Sequence, residues 1–105
     1  MAALTEGTDY FIKTVAPNNG ITQVMIRTKN TADATNTIVQ TLTNLGIGPT
    51  GFIGLIAFKA TTDNSVYVQE ACTTAVSSGV LTITIPSGTD NDPRFIILYG
   101  QTINP

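Results

Sequence analysis

The chain reads as an all-β protein: an antiparallel β-sandwich of about seven or eight strands, Ig-like or jelly-roll-like, with a barrel as the alternative closure. Three observations predict it. Nineteen of the 105 residues are Thr, a β-branched residue that is stiff at χ1 and favours strands over helices. Leu81, Ile83 and Ile85 alternate with Thr82 and Thr84. That period of two makes one face apolar and the other hydroxylated. Turn signals also return at roughly 8–12-residue spacing, as in sandwiches and barrels.

Residues 1–8 read as an N-terminal arm, 9–100 as one β-sandwich domain and 101–105 as a C-terminal tail. The first strand runs from Asp9 to Val15 and stops at Pro17-Asn18-Asn19-Gly20, where Asn-Gly after Pro signals a turn. Ile21 to Thr28 is a second strand, with Val24 and Ile26 on one face and Met25 and Arg27 on the other. Asn30 to Asn36 is small and polar and reads as a loop. Thr37 to Leu45 is ambiguous: Ile38, Leu42 and Leu45 fit helical spacing, while the Thr-Xaa-Thr composition favours a strand.

Gly46-Ile47-Gly48-Pro49-Thr50-Gly51 is a cluster of breakers. Phe52 to Ala60 reads as an apolar strand buried on both faces, with a bulge or a close backbone approach at Gly54. Thr62-Asp63-Asn64-Ser65 makes a hairpin loop. Val66 to Val76 is one bent strand or two short ones. The Ser77-Ser78-Gly79 turn follows, then a strand over Val80–Ile85 and a polar loop over Pro86–Pro93. Arg94 to Tyr99 is the last strand, which Gly100 ends.

Composition removes several function classes. Charged residues are only 11% and the net charge is −2, with three Lys and two Arg and no basic run. Nucleic-acid binding needs clustered cations against phosphates, so no nucleic-acid partner is expected. Polybasic attachment to a membrane fails for the same reason. No apolar run approaches the roughly 18 residues of a membrane-spanning helix. The N-terminus, Met1-Ala2-Ala3-Leu4-Thr5-Glu6, lacks the basic and apolar regions of a signal peptide. With Cys72 alone there is no internal disulfide, which fits synthesis in a reducing cytoplasm.

No constellation carries an evident chemistry, so the chain is read as a non-enzyme with no catalytic, metal or cofactor-binding residues and no small-molecule substrate. Histidine is absent, which removes Ser-His-Asp and Cys-His nucleophilic arrangements and most zinc sites. Cys72 reads as a small buried hydrophobe, since nothing near it in sequence lowers a thiol pKa. The acidic residues are Glu6, Asp9, Asp33, Asp63, Glu70, Asp90 and Asp92. Two of them could flank a glycosidic bond, but Asp63, Asp90 and Asp92 sit in turn contexts that explain them. Thr89-Asp90-Asn91-Asp92 is the densest oxygen cluster, yet it lacks the spacing and closing Glu of a calcium loop.

The glycine pattern from Gly46 to Gly51 matches Gly-x-Gly-x-x-Gly, but Pro49 removes a donor N–H and a β-type segment follows where a helix is required. Tyr10, Phe11, Phe52, Phe58, Tyr67, Phe95 and Tyr99 all fall in predicted strands and read as core or interface packing.

The segment Ser-Ser-Gly-Val-Leu-Thr-Ile-Thr-Ile-Pro (Ser77–Pro86), a polar loop, and Arg-Phe-Ile-Ile-Leu-Tyr-Gly (Arg94–Gly100) resemble small β-sandwich virion proteins of tailed bacteriophages. The likeness is to the capsid decoration or cement type, and it covers about the last third of the chain. It implies a non-enzymatic viral structural protein, located in the virion, that binds and stabilises the capsid lattice through the major capsid protein or other virion proteins. It also implies a homo-oligomer, with a trimer favoured. The contacts expected to carry this are the two termini and the loops near Asn30–Asn36 and Pro86–Asp92. A tail- or surface-associated glycan- or protein-binding module is the alternative, with Tyr10, Tyr67 or Tyr99 lining a shallow groove.

Overall fold

In the computed structural model of the chain, residues 3–18, 21–29, 35–60, 66–86 and 93–102 are described. They form an antiparallel β-sandwich with no α-helix. Its strands are β1 (Tyr10–Asn18), β2 (Ile21–Thr28), β3 (Thr37–Thr41), β4 (Ile47–Ala60), β5 (Tyr67–Glu70), β6 (Thr73–Ser77), β7 (Val80–Thr84) and β8 (Arg94–Thr102). One sheet has the order β1-β2-β8-β4-β5 and the other β3-β7-β6. The predicted fold class is therefore the observed one.

Strand pairing follows the hydrophobic alternation, because a slip by one residue would turn every apolar side chain to the wrong face. Val24 pairs with Leu98 and Ile26 with Ile96, while on the other side of β8 Leu55 and Ala57 meet the same two residues. These side chains face Ile38, Leu81 and Ile83 of the smaller sheet, and together they form the buried core. Buried threonines of β2 serve a second purpose. The Thr22 hydroxyl donates to the Gly46 carbonyl at 3.1 Å, and the Thr28 hydroxyl accepts the Arg94 N–H at 2.7 Å. A buried hydroxyl so paired avoids the cost of desolvation without a partner.

The ambiguous segment from Thr37 to Leu45 is both things in turn. It is strand through Thr41 and then a 3₁₀ turn, η1 (Leu42–Leu45), which buries Leu42 and Leu45 together at the i, i+3 spacing. Gly46, at φ 80°, closes that turn in the left-handed region and donates to the Thr43 carbonyl. Val66–Val76 resolves into two short strands in different sheets, separated by Ala71-Cys72. Ser78 (φ 51°) and Gly79 (φ 78°) are both left-handed, which makes the β6–β7 connection a two-residue hairpin of the type I′ class.

Several expectations are corrected. The cluster from Gly48 to Gly51 does not break the chain; it lies inside β4, where pairing with β8 shifts register between Ile47 and Phe52. A bulge near Gly54 is present, with Ile53 as the extra residue opposite β8. Phe52–Ala60 is buried on one face only, since Ile53 and Ile56 are exposed. The apolar outward positions lie on a sheet face that no second layer of described residues covers. Gly100 does not end the last strand, which continues through Gln101 and Thr102 beside Ile21 and Ile47. β1 likewise runs past Val15 to Asn18, with one extra residue relative to β2. The loop expectations at Asn30–Ala34, Thr62–Ser65 and Ser87–Asp92, and the turn at Asn19-Gly20, lie outside the described residues.

Gly100 is a glycine for a steric reason. A Cβ there would stand 2.5 Å from Cγ2 of the fully buried Ile47, a β-branched side chain with few rotamers to yield. Gly100→Ala is expected to destabilise by about 1–3 kcal/mol, read as a lower urea midpoint. Gly100→Ala combined with Ile47→Val should recover part of that loss.

The N-terminal segment does not project from the domain. Ala3 bridges Thr37, the Leu4 N–H donates to the Thr37 carbonyl, and Leu4 packs against the core. Gln40 then links the Tyr10 hydroxyl, at 2.8 Å, to the Glu6 carboxylate, at 3.0 Å. Residues 3–6 thus lie along the edge of β3.

Candidate functional site

Cross-strand neighbours share a face, so the register defines the outward side of the five-stranded sheet. Phe11 stands beside Arg27, Lys13 beside Met25, Arg27 beside Phe95, Met25 beside Ile97, Ile97 beside Ile56, and Phe95 beside Phe58. The result is an apolar and aromatic surface running across β1, β2, β8 and β4. Phe11 is 49% exposed and Ile56 41%. Tyr99 lies on the same side opposite Gly54.

The charges on this face are of one sign. Lys13 and Arg27 are exposed, and the Lys29 ammonium sits 5.8 Å from the centre of the Phe11 ring, within cation–π reach. No described carboxylate pairs with any of these three. The described carboxylates are occupied elsewhere: Asp9 accepts the Thr5 N–H at 2.8 Å, Glu6 accepts from Gln40, and Glu70 holds Arg94. Asp33, Asp63, Asp90 and Asp92 lie outside the described residues, as does the Thr89–Asp92 oxygen cluster.

The outward side of the three-stranded sheet differs in chemistry. Its rows are Thr37-Thr84-Thr73, Val39-Thr82-Ala75 and Thr41-Val80-Ser77. Thr82 and Thr84, which alternate with apolar residues in the sequence, thus belong to an outward face of hydroxyls and methyls with no charge, on which Thr37 alone of the nine is buried.

The buried polar cluster lies at the β5 side of the sandwich. The Arg94 Nε donates to Glu70 Oε1 at 3.1 Å, and the side chains are 0% and 8% exposed. The Cys72 thiol donates to the same carboxylate oxygen at 3.8 Å. Burial first, and then the Glu70 charge, push the Cys72 thiol from 9.0 up to about 12, against a smaller opposing pull from Arg94. A thiol held protonated in this way is a poor nucleophile. The Tyr10 phenol is also raised, by burial above all, although the Gln40 amide favours its charged form.

Both shifts act on stability in the same direction. Each group is easier to ionise in the unfolded chain, so the Cys72 contribution is complete below pH 9.0 and is lost as the pH rises towards 12, and the Tyr10 contribution is complete below pH 10.0 and is lost above it. Urea midpoints are expected to fall across this alkaline window, and to fall less steeply in Cys72→Ala. Slow labelling of Cys72 by a thiol reagent at pH 8 in the native state, and fast labelling in urea, is the matching chemical readout.

Among the described residues there is no group of three or more His, Cys, Asp or Glu side chains able to hold a metal ion. No described helix is long and apolar enough to cross a membrane. The seven aromatics all lie in strands. Tyr10 is buried at the sheet interface, so it lines no groove, while Tyr67 is exposed and Tyr99 is half-buried. Residues 47–51 of the glycine cluster lie within strand β4 and lead into no helix, so the phosphate-cradle context is missing.

The fold and its surfaces define a small antiparallel β-sandwich with two differently built sheet faces that no described residue covers. No family model, no curated protein and no solved structure compared with the chain gives a match. The outward faces are what the sequence reading left unassembled: their residues were visible singly, but the register of three or more strands is needed to see them as surfaces.

Proposed function

We propose that this chain is a non-enzymatic structural protein that binds a large protein assembly, and specifically a decoration or cement protein of a bacteriophage capsid. One observation carries the reading. The outward face of the five-stranded sheet keeps Phe11, Ile53 and Ile56 in solvent beside cations that no described carboxylate pairs. Contiguous apolar surface with a polar rim marks sites of protein association.

The work such a protein does is mechanical. Each copy removes apolar area from water, at about 25 cal/mol per Å², and the effect is multiplied over a lattice. Lys13 and Arg27 orient the contact towards an acidic partner surface, since electrostatic complementarity sets register and partner choice. The charge-free threonine face adds a second surface with little desolvation cost.

The test is binding to capsids of the virus that encodes the chain. Co-sedimentation of the wild type, and a rise in capsid melting temperature, are expected. Phe11→Ser with Ile56→Ser should abolish both while leaving the domain folded. Equal capsid stability with and without the protein, and no co-sedimentation, overturns the reading.

A further inference from the structure

A two-sheet sandwich has four sheet edges, and each exposes unpaired main-chain N–H and C=O groups unless something blocks it. Three are blocked. β1 carries a one-residue register shift and Lys13, and residues 6–7 contact its start through a Glu6–Tyr10 bridge and the Gly7 N–H bond to the Tyr10 carbonyl. β3 is lined by Ala3 and Leu4. β5 is only four residues long.

The fourth edge, β6, has none of these devices among the described residues. Thr73-Thr74-Ala75-Val76-Ser77 has no charge, no Pro and no bulge, pairs with β7 in unbroken register, and is exposed at every position. The hairpin sets which groups are open. The two-residue turn makes Ser77–Val80 a hydrogen-bonded pair. The main-chain groups of Thr73, Ala75 and Ser77 therefore point into β7, and those of Thr74 and Val76 point outward.

That outward set is self-complementary. A two-fold axis at Ala75 places Thr74 opposite Val76 of a second copy and Thr73 opposite Ser77, in antiparallel sense. All four open groups of each strand are then paired, and the two three-stranded sheets become one of six strands. The flank gives a second reason for a cover. β5 and β6 are joined by Ala71-Cys72 alone, so both edges lie on one side of the sandwich. Val66, Tyr67, Val68 and Val76 are there, four of the nine large hydrophobic residues exposed among those described, with Val76 at 44%. The single charged side chain of β5 and β6, Glu70, is turned inward to Arg94.

We infer that the β6 edge is a self-association site and that its occupant is β6 of a second copy, paired antiparallel about Ala75. This does not rest on the capsid reading, and it holds or fails for the isolated protein. It gives an isologous contact and hence a dimer, or a larger assembly with an even number of copies.

The register makes a sharp test. Ala75 faces its own equivalent in a non-hydrogen-bonded pair, where Cα atoms are about 4.5 Å apart. That lies within the roughly 4.4–6.8 Å span that a disulfide bridges. Ala75→Cys in a Cys72→Ala background is expected to crosslink into a covalent dimer under mild oxidation, whereas Ser77→Cys in the same background is not. In light scattering and native mass spectrometry the wild type should be a concentration-dependent dimer. Val76→Lys, an edge lysine at an already exposed position, should weaken dimerisation at least tenfold with an unchanged circular dichroism spectrum. Thr74→Lys is the second variant if Val76→Lys disturbs the fold. A monomer at high concentration, a trimer as the only species, or a dimer that neither crosslinks through Ala75→Cys nor responds to the edge lysines overturns the inference.

Discussion

Glu70→Ala is expected to cost about 3–5 kcal/mol of stability, because it breaks a buried ion pair. Arg94 is fully buried on the inward face of β8, and Glu70 reaches it across β4 from β5, at 3.1 Å. Taking Glu70 away removes a carboxylate that meets the guanidinium in a low-dielectric site. A domain of this size has about 5–15 kcal/mol in total, so the variant should sit close to its unfolding threshold. The size of the loss says little about what the pair contributes to the wild type, since burying both ions is itself expensive. The pair's position suggests what it does: it fixes the short edge strand β5 to the sheet. Equilibrium urea unfolding measures the effect, and amide exchange should show β5 opening first in Glu70→Gln. A loss under about 1 kcal/mol would mean that the guanidinium is satisfied without Glu70.

Leu98→Ala is expected to cost a further class of energy, about 2–5 kcal/mol, through a cavity. Leu98 is completely buried in the central strand of the larger sheet, between Val24 of β2 and Leu55 of β4. Close packing from both neighbours leaves little room for collapse around a smaller side chain. Ile56→Thr is the contrast. It lies on β4 next to Leu55 but on the outward face, and it should change stability by about 1 kcal/mol or less. Comparable losses at the two positions would mean that the register of β4 against β8 is wrong, or that the outward face is covered in the isolated protein.

The two variants also separate folding from binding. Leu98→Ala acts on the core that holds the sheets together. Ile56→Thr acts on the surface proposed to meet a partner, and should reduce association at constant fold. The edge substitutions at Val76 and Thr74 address a third surface, so the three sites can be tested independently.

The residues by themselves determined the fold class, because alternation of apolar and hydroxylated side chains has only one regular solution with a buried face. The boundaries of Ile21–Thr28 and the inward placement of Val24 and Ile26 were legible for that reason. So was the Ser78-Gly79 turn, where the conformation demanded by a two-residue hairpin selects small residues. Local reading failed where the controlling atoms are remote in sequence. Gly100 looks like a strand terminator until Ile47 is seen above it. The cluster at Gly48–Gly51 looks like a break until β8 is seen alongside. Phe52–Ala60 looks buried on both sides because hydrophobicity alone cannot distinguish a second covering layer from an exposed sheet face.

Only the tertiary structure could decide which surfaces exist. Arg94, Glu70 and Cys72 meet because β8, β4 and β5 are neighbours, and no spacing in the chain encodes that order. The apolar cationic face needs four strands in register, and the threonine face needs three. The open edge at β6 is a relation between strands: it is defined by what covers β1, β3 and β5 and leaves Thr74 and Val76 uncovered. Periodicity specifies which side of a strand is apolar, but only strand order and register specify what that side, or that edge, is left to meet.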